Sequence, residues 1–389
     1  MKLVLWMLAL FAAAAAIVLT AYYNTGSVLF TVPPYKVELA FNTFILVLLS
    51  IFILFYILLR TLAGLSGMRN KKAEQLAWSG LKAFFETRYD QAATIAEKAF
   101  RLADKPVSKA LNAVLAARSA HQLGNYVQRD HLLASAKEQA PAGRALLLIT
   151  EVELLLDEGC HAAALAALQS LYSTGGLQST AILLLELKAR QMAGHWDSVL
   201  ELTEVLENRS LVDRAYINKL KHRAHLENIR SNARDIALLR KYWSNLSSQE
   251  KLDGGLAVAA ARAMIAQGDN ASAQKIIENS LDVRPYPELV ALYADCRSSV
   301  VSWQIQRAES WLAKHPNNAG LLLTLGKLCT YGELWGKAQS YLEASLSIES
   351  GYPVHLALAQ LFEKLKKPEA ASEHYRKGLD FALKQISTA

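Results

Sequence analysis

His222 and His225, in the run KHRAHLEN, lie one helical turn apart and are spaced to hold a metal ion from one helix face. Neither a cysteine nor an acidic cluster stands beside them in the sequence to complete a ligand set, so no metal site is expected. The three cysteines, Cys160, Cys296 and Cys329, are widely separated. They offer no disulfide framework and no paired thiols, a usage compatible with a reducing compartment. Phosphate-cradling GxxxxGK[ST], dinucleotide-binding GxGxxG and nucleophile-turn G-x-S-x-G runs are all missing. Those absences weigh against an enzyme, and no catalytic residue is expected.

The densest charge lies between Arg209 and Lys241, where nine basic residues meet three acidic ones, Asp213, Glu227 and Asp235. Arg214, Lys219, Lys221, Arg223, Arg230, Arg234, Arg240 and Lys241 are the candidate patch for a carboxylate- or phosphate-bearing partner. The competing reading is an ordinary solvated helix face. Trp243, which follows Leu238 and Leu239, is expected in the core. The formal charge is +7, with a pI near 9.1. In a membrane-tethered chain, attraction to anionic head groups accounts for that charge, and no nucleic acid is expected.

The elements that must carry these residues begin in a membrane. Residues 39–59, LAFNTFILVLLSIFILFYILL, hold no charge. As a helix they span roughly 30 Å, the thickness of a bilayer's hydrocarbon core. A second apolar run, residues 3–21, follows Lys2. It is longer than the roughly 7 to 15 residues of a signal peptide's apolar region, and no clear A-x-A site follows, so an uncleaved helix is expected. The chain then opens with a two-helix transmembrane hairpin joined by a connector over 22–38. Arg60, Arg69, Lys71 and Lys72 mark a basic juxtamembrane segment, 61–72. By the positive-inside bias, everything beyond it faces the cytoplasm and the connector faces outward. Tyr22, Tyr23, Phe30 and Tyr35 suit the head-group layer. Val28 to Val32 is β-prone and ends at Pro33-Pro34, which predicts a short ordered turn at the surface.

From residue 73 to 389 a unit recurs. Turn-forming residues at Thr87, Gly124, Gly159, Gly194, Gly268, Gly332 and Lys366 stand 37, 35, 35, 74, 64 and 34 residues apart. Halving the long gaps places further turns near Ser231 and Val300. In the clearest unit, Leu322, Leu325, Gly326 and Cys329 form one helix face. Ala338, Tyr341, Leu342, Ser345 and Leu346 form the next, at amphipathic spacing. Leu358, Ala359 and Phe362, then Ala371, Tyr375, Gly378 and Leu379, repeat the pattern. The period is that of tetratricopeptide-like helix pairs, about nine in number. The expected class is all-α, an α-solenoid with a concave surface. Gly175-Gly176 and Gly254-Gly255 are the expected places for a change of superhelix axis, or helix-capping turns.

The two spans, the connector NTGSVLFTVPPYKVEL and the run LRKYWSNLSSQEKLDGGLAVAAARAMIAQGDNASAQKII resemble the HemY family of bacterial inner-membrane proteins. LGKLCTYGELWGKAQSYLEASL and LKKPEAASEHYRKGL are similar to that family's closing repeats. The resemblance implies a cytoplasm-facing repeat domain on a two-helix anchor in the inner membrane, associated with late protohaem IX synthesis. It further implies an organising, non-catalytic role. The implied partners are late haem-biosynthesis enzymes, and the resemblance leaves open whether haem or a porphyrin binds. A flavin-dependent porphyrinogen oxidase shares the name, but this chain has no flavin fingerprint and that activity is not expected. The alternative is a repeat adaptor for another envelope process, cytochrome maturation or lipopolysaccharide regulation.

Overall fold

The computed structural model describes residues 26–32, 35–175, 178–209, 212–296 and 300–388. The expected first span, with Tyr22, Tyr23 and the Pro33-Pro34 link, lies outside them. The connector forms more than a turn. Strands β1 (Ser27–Val32) and β2 (Tyr35–Ala40) pair antiparallel, with Val28 opposite Leu39 and Val32 opposite Tyr35. A two-residue link suffices to close such a hairpin. Leu39 and Ala40, read from hydropathy as the start of the span, therefore belong to a strand. The amide of Phe41 donates to the Gly26 carbonyl at 2.9 Å, closing the hairpin onto the helix that follows.

That helix, α1, runs from Phe41 to Phe85 without interruption. Its 45 residues make it about 68 Å long. Thr43–Thr61 is long and apolar enough to cross a membrane, and none of it is buried among the described residues. The same rod then supplies the first helix of the repeat array.

Two compact units divide the chain, residues 1–177 and 178–389. In the first, the end of α1 pairs with α2 (Tyr89–Leu102), α3 (Pro106–Gln122) with α4 (Tyr126–Gln139), and α5 (Arg144–Asp157) with α6 (His161–Ser173). Its core is alanine-rich: Ala110, Ala113, Ala117 and Ala136 pack with Phe100, Leu133, Leu147 and Leu154. Small side chains let paired helices approach closely.

The second unit pairs α7 (Thr180–Met192) with α8 (Trp196–Asn208) and α9 (Arg214–Asn232) with α10 (Ile236–Asn245). A short α11 (Ser248–Lys251) precedes α12 (Gly254–Ala266) and α13 (Asn270–Leu281). Then come α14 (Pro287–Tyr293) with α15 (Val301–Lys314), α16 (Ala319–Tyr331) with α17 (Trp335–Ile348), and α18 (Tyr352–Lys364) with α19 (Pro368–Thr388). Leu322, Leu325, Gly326 and Cys329 are buried as the periodicity requires, and so are Ala338, Leu342 and Ser345. A Cβ at Gly326 would fall 2.4 Å from Leu342, so the glycine is a packing requirement. Leu379 is 59% exposed and does not join the packed face assigned to it by periodicity.

The turns share a bonding pattern. Arg88, Asn125, Cys160, His195, Asp269, Leu334 and Lys367 each donate a backbone N–H to the carbonyl five residues earlier, as in a Schellman motif. The residue before each has positive φ: Thr87, Gly124, Gly159, Gly194, Gly268, Glu333 and Lys366. At the sixth of these turns Glu333, not the expected Gly332, takes the left-handed conformation. The turn expected at Ser231 lies slightly later, at Ala233 to Asp235, because Arg230 to Asn232 still complete α9. Arg297 to Ser299, expected to turn before Val300, lie outside the described residues. The boundary between the two units falls beside Gly175-Gly176. Gly254, by contrast, opens α12 as a buried residue, and a Cβ there would lie 2.5 Å from the Tyr286 ring. Following the N-cap Asp253, it fits the helix-capping reading and marks close packing.

Candidate functional site

A recess lies where the second half of α1 meets the next pair. Its first wall is the stripe Asn70, Ala73, Glu74, Ala77, Trp78 and Leu81 of α1. Ser108, Leu111, Asn112 and Leu115 of α3 form the other, with Ala103 and Lys105 at its end. Both stripes follow i, i+3, i+4 spacing, so each is one face of its helix. The cleft holds about 430 Å³, within the range of small-ligand sites. Thr61, where the apolar stretch ends, is nine residues before Asn70, which sets the cleft about 14 Å of helix beyond that stretch.

Four equivalent positions line both walls at a spacing of 34: Glu74 and Ser108, Ala77 and Leu111, Trp78 and Asn112, Leu81 and Leu115. Trp78 is 66% exposed and Leu111 54%. Asn112 is only 4% exposed. Asn70 is occupied, its side-chain oxygen accepting from the Asp104 amide at 3.2 Å. The sequence reading missed this cleft. The signal was a tryptophan and an asparagine recurring at one repeat position, where core residues would be apolar.

The basic patch is dispersed by the fold. Lys219, Arg223 and Arg230 share one exposed face of α9, at i, i+4 and i+11. Lys221 lies on another face, donating to Glu207 at 2.6 Å and holding that carboxyl below its ordinary range. Arg223 stacks over the Trp196 ring at 5.6 Å, and Arg230 pairs with Glu227 at 2.8 Å. Arg240 reaches Asp269 at 2.6 Å. The Arg240 bond, more than any other contact, pulls the Asp269 carboxyl down to about 2. Arg214, Lys219, Arg234 and Lys241 are exposed and make no ion pair among the described residues. Trp243 packs against the core, as expected.

The histidines are placed in polar pairs that the sequence did not reveal. His222 meets Asp253 at 3.2 Å, and His225 meets Glu250 at 3.1 Å and the Tyr242 hydroxyl at 2.8 Å. Asn228 donates to Asp197 at 2.7 Å and to Tyr242 at 3.2 Å. Burial raises Tyr242 to about 12 and lowers His225, the latter against the opposing pull of Glu250. This network ties α8, α9, α10 and α11 together. Among the described residues no three or more His, Cys, Asp or Glu side chains are grouped to hold a metal. Burial also pushes Cys296 up to about 12 and Cys329 to about 11, so both thiols stay protonated at neutral pH.

An apolar rod carried directly into stacked helix pairs defines a membrane-associated helical repeat protein. Comparison with known proteins narrows that class. Residues 26–124 match the family model described as HemY protein N-terminus. "Protein HemY" of Escherichia coli K12 is 27% identical over 327 residues, covering 82% of this chain and 79% of that one. The resemblance to the HemY family is thereby borne out. Among solved structures, the APC/C hetero-tetramer Cut9-Hcn1 is 16% identical. That match covers 79% of this chain and 66% of the other, just under two thirds, with a TM-score of 0.29. A tetratricopeptide repeat protein from Parabacteroides merdae is 12% identical, covering 70% of this chain and 93% of the other, with a TM-score of 0.30. The fold assignment itself stands on the helix pairs and their recurring turns.

Proposed function

We propose that this protein is a non-catalytic, membrane-anchored scaffold that organises late protohaem IX synthesis at the inner membrane. The observation that carries the reading is the continuity of α1, which joins the bilayer to the cleft through one helix. Tethering of this kind raises the effective concentration of partners and limits the escape of a poorly soluble intermediate. In this reading residues 1–60 form the two-span anchor, 61–72 the basic segment, and 73–389 a cytoplasmic repeat region that receives pathway enzymes. The HemY resemblance supports the link to haem. The exposed cations Arg214, Lys219, Arg234 and Lys241 serve as a second, electrostatic contact for an acidic partner.

The test is the porphyrin profile of cells lacking the protein, before and after its restoration. Accumulated coproporphyrin or protoporphyrin with depleted haem, reversed on restoration, is the expected result. An unaltered profile overturns the haem reading and leaves an adaptor for another envelope process. Changing Lys219, Arg234 and Lys241 together to Glu is expected to weaken partner capture without loss of helicity by circular dichroism. Lys221 is unsuited to that test, since its bond to Glu207 belongs to the fold.

A further inference from the structure

In the first unit, basic and acidic residues gather at opposite ends. Helix α1 runs from the apolar stretch to Phe85, so the second helix of each pair returns towards the side from which α1 arrives, and α3 and α5 start there. Three contacts hold those ends level. The Asn70 side chain accepts from the Asp104 amide at 3.2 Å, and Lys109 donates to Gln139 at 3.2 Å. Gly143 lies so close to Ala110 that a Cβ there would collide with it. Residues 68–72, 101–109 and 137–144 therefore form one rim, with eight basic residues against the acidic Asp104 and Glu138. The turns at the far end, 85–90, 122–130 and 157–161, carry two basic residues against five acidic ones.

Part of the rim's charge is neutralised within the protein. Arg69 meets Asp104 at 3.7 Å, Arg101 pairs with Glu97, and Lys137 with Glu151. Lys71, Lys72, Lys105 and Arg144 are exposed and make no ion pair among the described residues. Lys105 caps α3 and Arg144 opens α5, and neither first turn holds an acidic residue. The N-terminus of a helix is the positive end of its dipole and favours anions, so these two cations do not serve helix stability. Their charge adds to that of the dipoles. We infer that the rim is a docking surface for anionic phospholipid, holding the first unit end-on against the leaflet that α1 leaves. The inference rests on the anchoring of α1 and is independent of the link to haem. The rim lies level with Asn70, about 14 Å of helix beyond Thr61, and the polar layer of a leaflet fills about 5–8 Å of that distance. The gap left, about 6–9 Å, is close to the screening length of about 8 Å at physiological salt. Neighbouring helices pack about 10 Å apart, so α1, α3 and α5 spread the free cations over roughly 20 Å, and contact along that row resists tilting of the rod. Position selects lipid: a fluid leaflet on that side supplies phosphate under every cation without needing a complementary shape.

The experiment uses the full chain in nanodiscs of equal parts phosphatidylcholine and phosphatidylglycerol, with a benzophenone photo-crosslinker on single cysteines. Cys160, the exposed thiol, is replaced by serine, while Cys296 and Cys329 are buried. The label goes on Met68→Cys beside the membrane, Val107→Cys on the rim or Val127→Cys at the far end, all exposed positions. Mass spectrometry then reads the lipid adducts. Met68 and Val107 should capture lipid and Val127 none, with phosphatidylglycerol exceeding phosphatidylcholine at Val107 by at least about threefold. Lys105→Glu together with Arg144→Glu should return that ratio to about one, as should salt of about 1 M, where the screening length falls to about 3 Å. Both substitutions put carboxylates at helix N-termini, so the thermal midpoint should hold or rise, and lost lipid preference is then no folding defect. A ratio near one in the parent, or one that the double substitution leaves unchanged, overturns the inference. Adducts at Met68 without any at Val107 overturn it alone, and adducts at neither position overturn the anchoring of α1 with it. A parent ratio near one, joined to failure of the double variant to restore the porphyrin profile, overturns it in favour of an acidic protein at the rim.

Discussion

Arg129 stands at a position that other repeats give to small or aliphatic residues. The amide donating to the first carbonyl of the second helix belongs to Ala92, Ala164, Val199, Leu239, Ala273, Ala338 and Ala371 elsewhere. Arg129 is 3% exposed, and its guanidinium bonds to Glu158 and, at 2.8 Å, to Asp130. His121 lies 3.1 Å from it and is lowered first by burial and then by the arginine's charge. Arg129→Ala leaves Glu158 uncompensated and should cost about 3 kcal/mol in denaturant unfolding. Adding Glu158→Gln removes the orphaned charge and should recover much of that loss. A double variant no more stable than the single one would show that the arginine's packing, and not its pairing, matters. A second pair, His355 and His374, brings two Nδ1 atoms within 3.0 Å. Burial lowers both below the ordinary 6.5, helped by Lys377, while Glu373 and Glu343 pull His374 the other way. Below pH 6.5 the unfolded chain therefore binds more protons than the folded one, and stability present at neutral pH is lost on acidification. The melting midpoint should fall between pH 7 and 5, less steeply in His374→Gln.

At the scale of elements, the turns were legible because a left-handed residue leaves a compositional mark. Gly124, Gly159, Gly194 and Gly268 were visible for that reason and Lys366 through its place in the period before Pro368, whereas Glu333 hides the same geometry behind an ordinary side chain next to Gly332. Thr87 has φ of 61°, a conformation strained for a β-branched residue. Thr87→Gly should relieve that strain and stabilise the first pair by up to about 1 kcal/mol, read as a raised melting midpoint. Gly268→Ala should lose about 1 kcal/mol through backbone strain alone, since a Cβ there meets nothing within 4 Å. Equal midpoints for these variants and the parent would mean the turns tolerate either residue. What composition could not supply was register across space. The basic run reads as one patch along the chain, yet α9 and α10 send Lys221 to Glu207 and Arg240 to Asp269. The connector's second strand was hidden too, because Leu39 and Ala40 are as apolar as the span they precede.

For the whole molecule, the decisive property is that anchor and cleft share one rod. Two roles for the anchor give different outcomes when that rod is altered. If the membrane only concentrates the protein, any tether serves. If it sets the height of the cleft, the helical connection itself is required. A ten-residue Gly/Ser insertion after Thr61 keeps the apolar stretch but adds a flexible link of roughly 17 Å root-mean-square length. That exceeds the helical distance of about 14 Å between Thr61 and Asn70 and frees the cleft from a fixed height. If the rod fixes the height of the repeats above the membrane, this variant should restore the porphyrin profile only in part. Residues 61–389 alone should restore nothing, because the effective concentration supplied by the membrane is gone. Full restoration by the linker variant would reduce α1 to a tether, and full restoration by the soluble fragment would remove the need for a membrane anchor altogether.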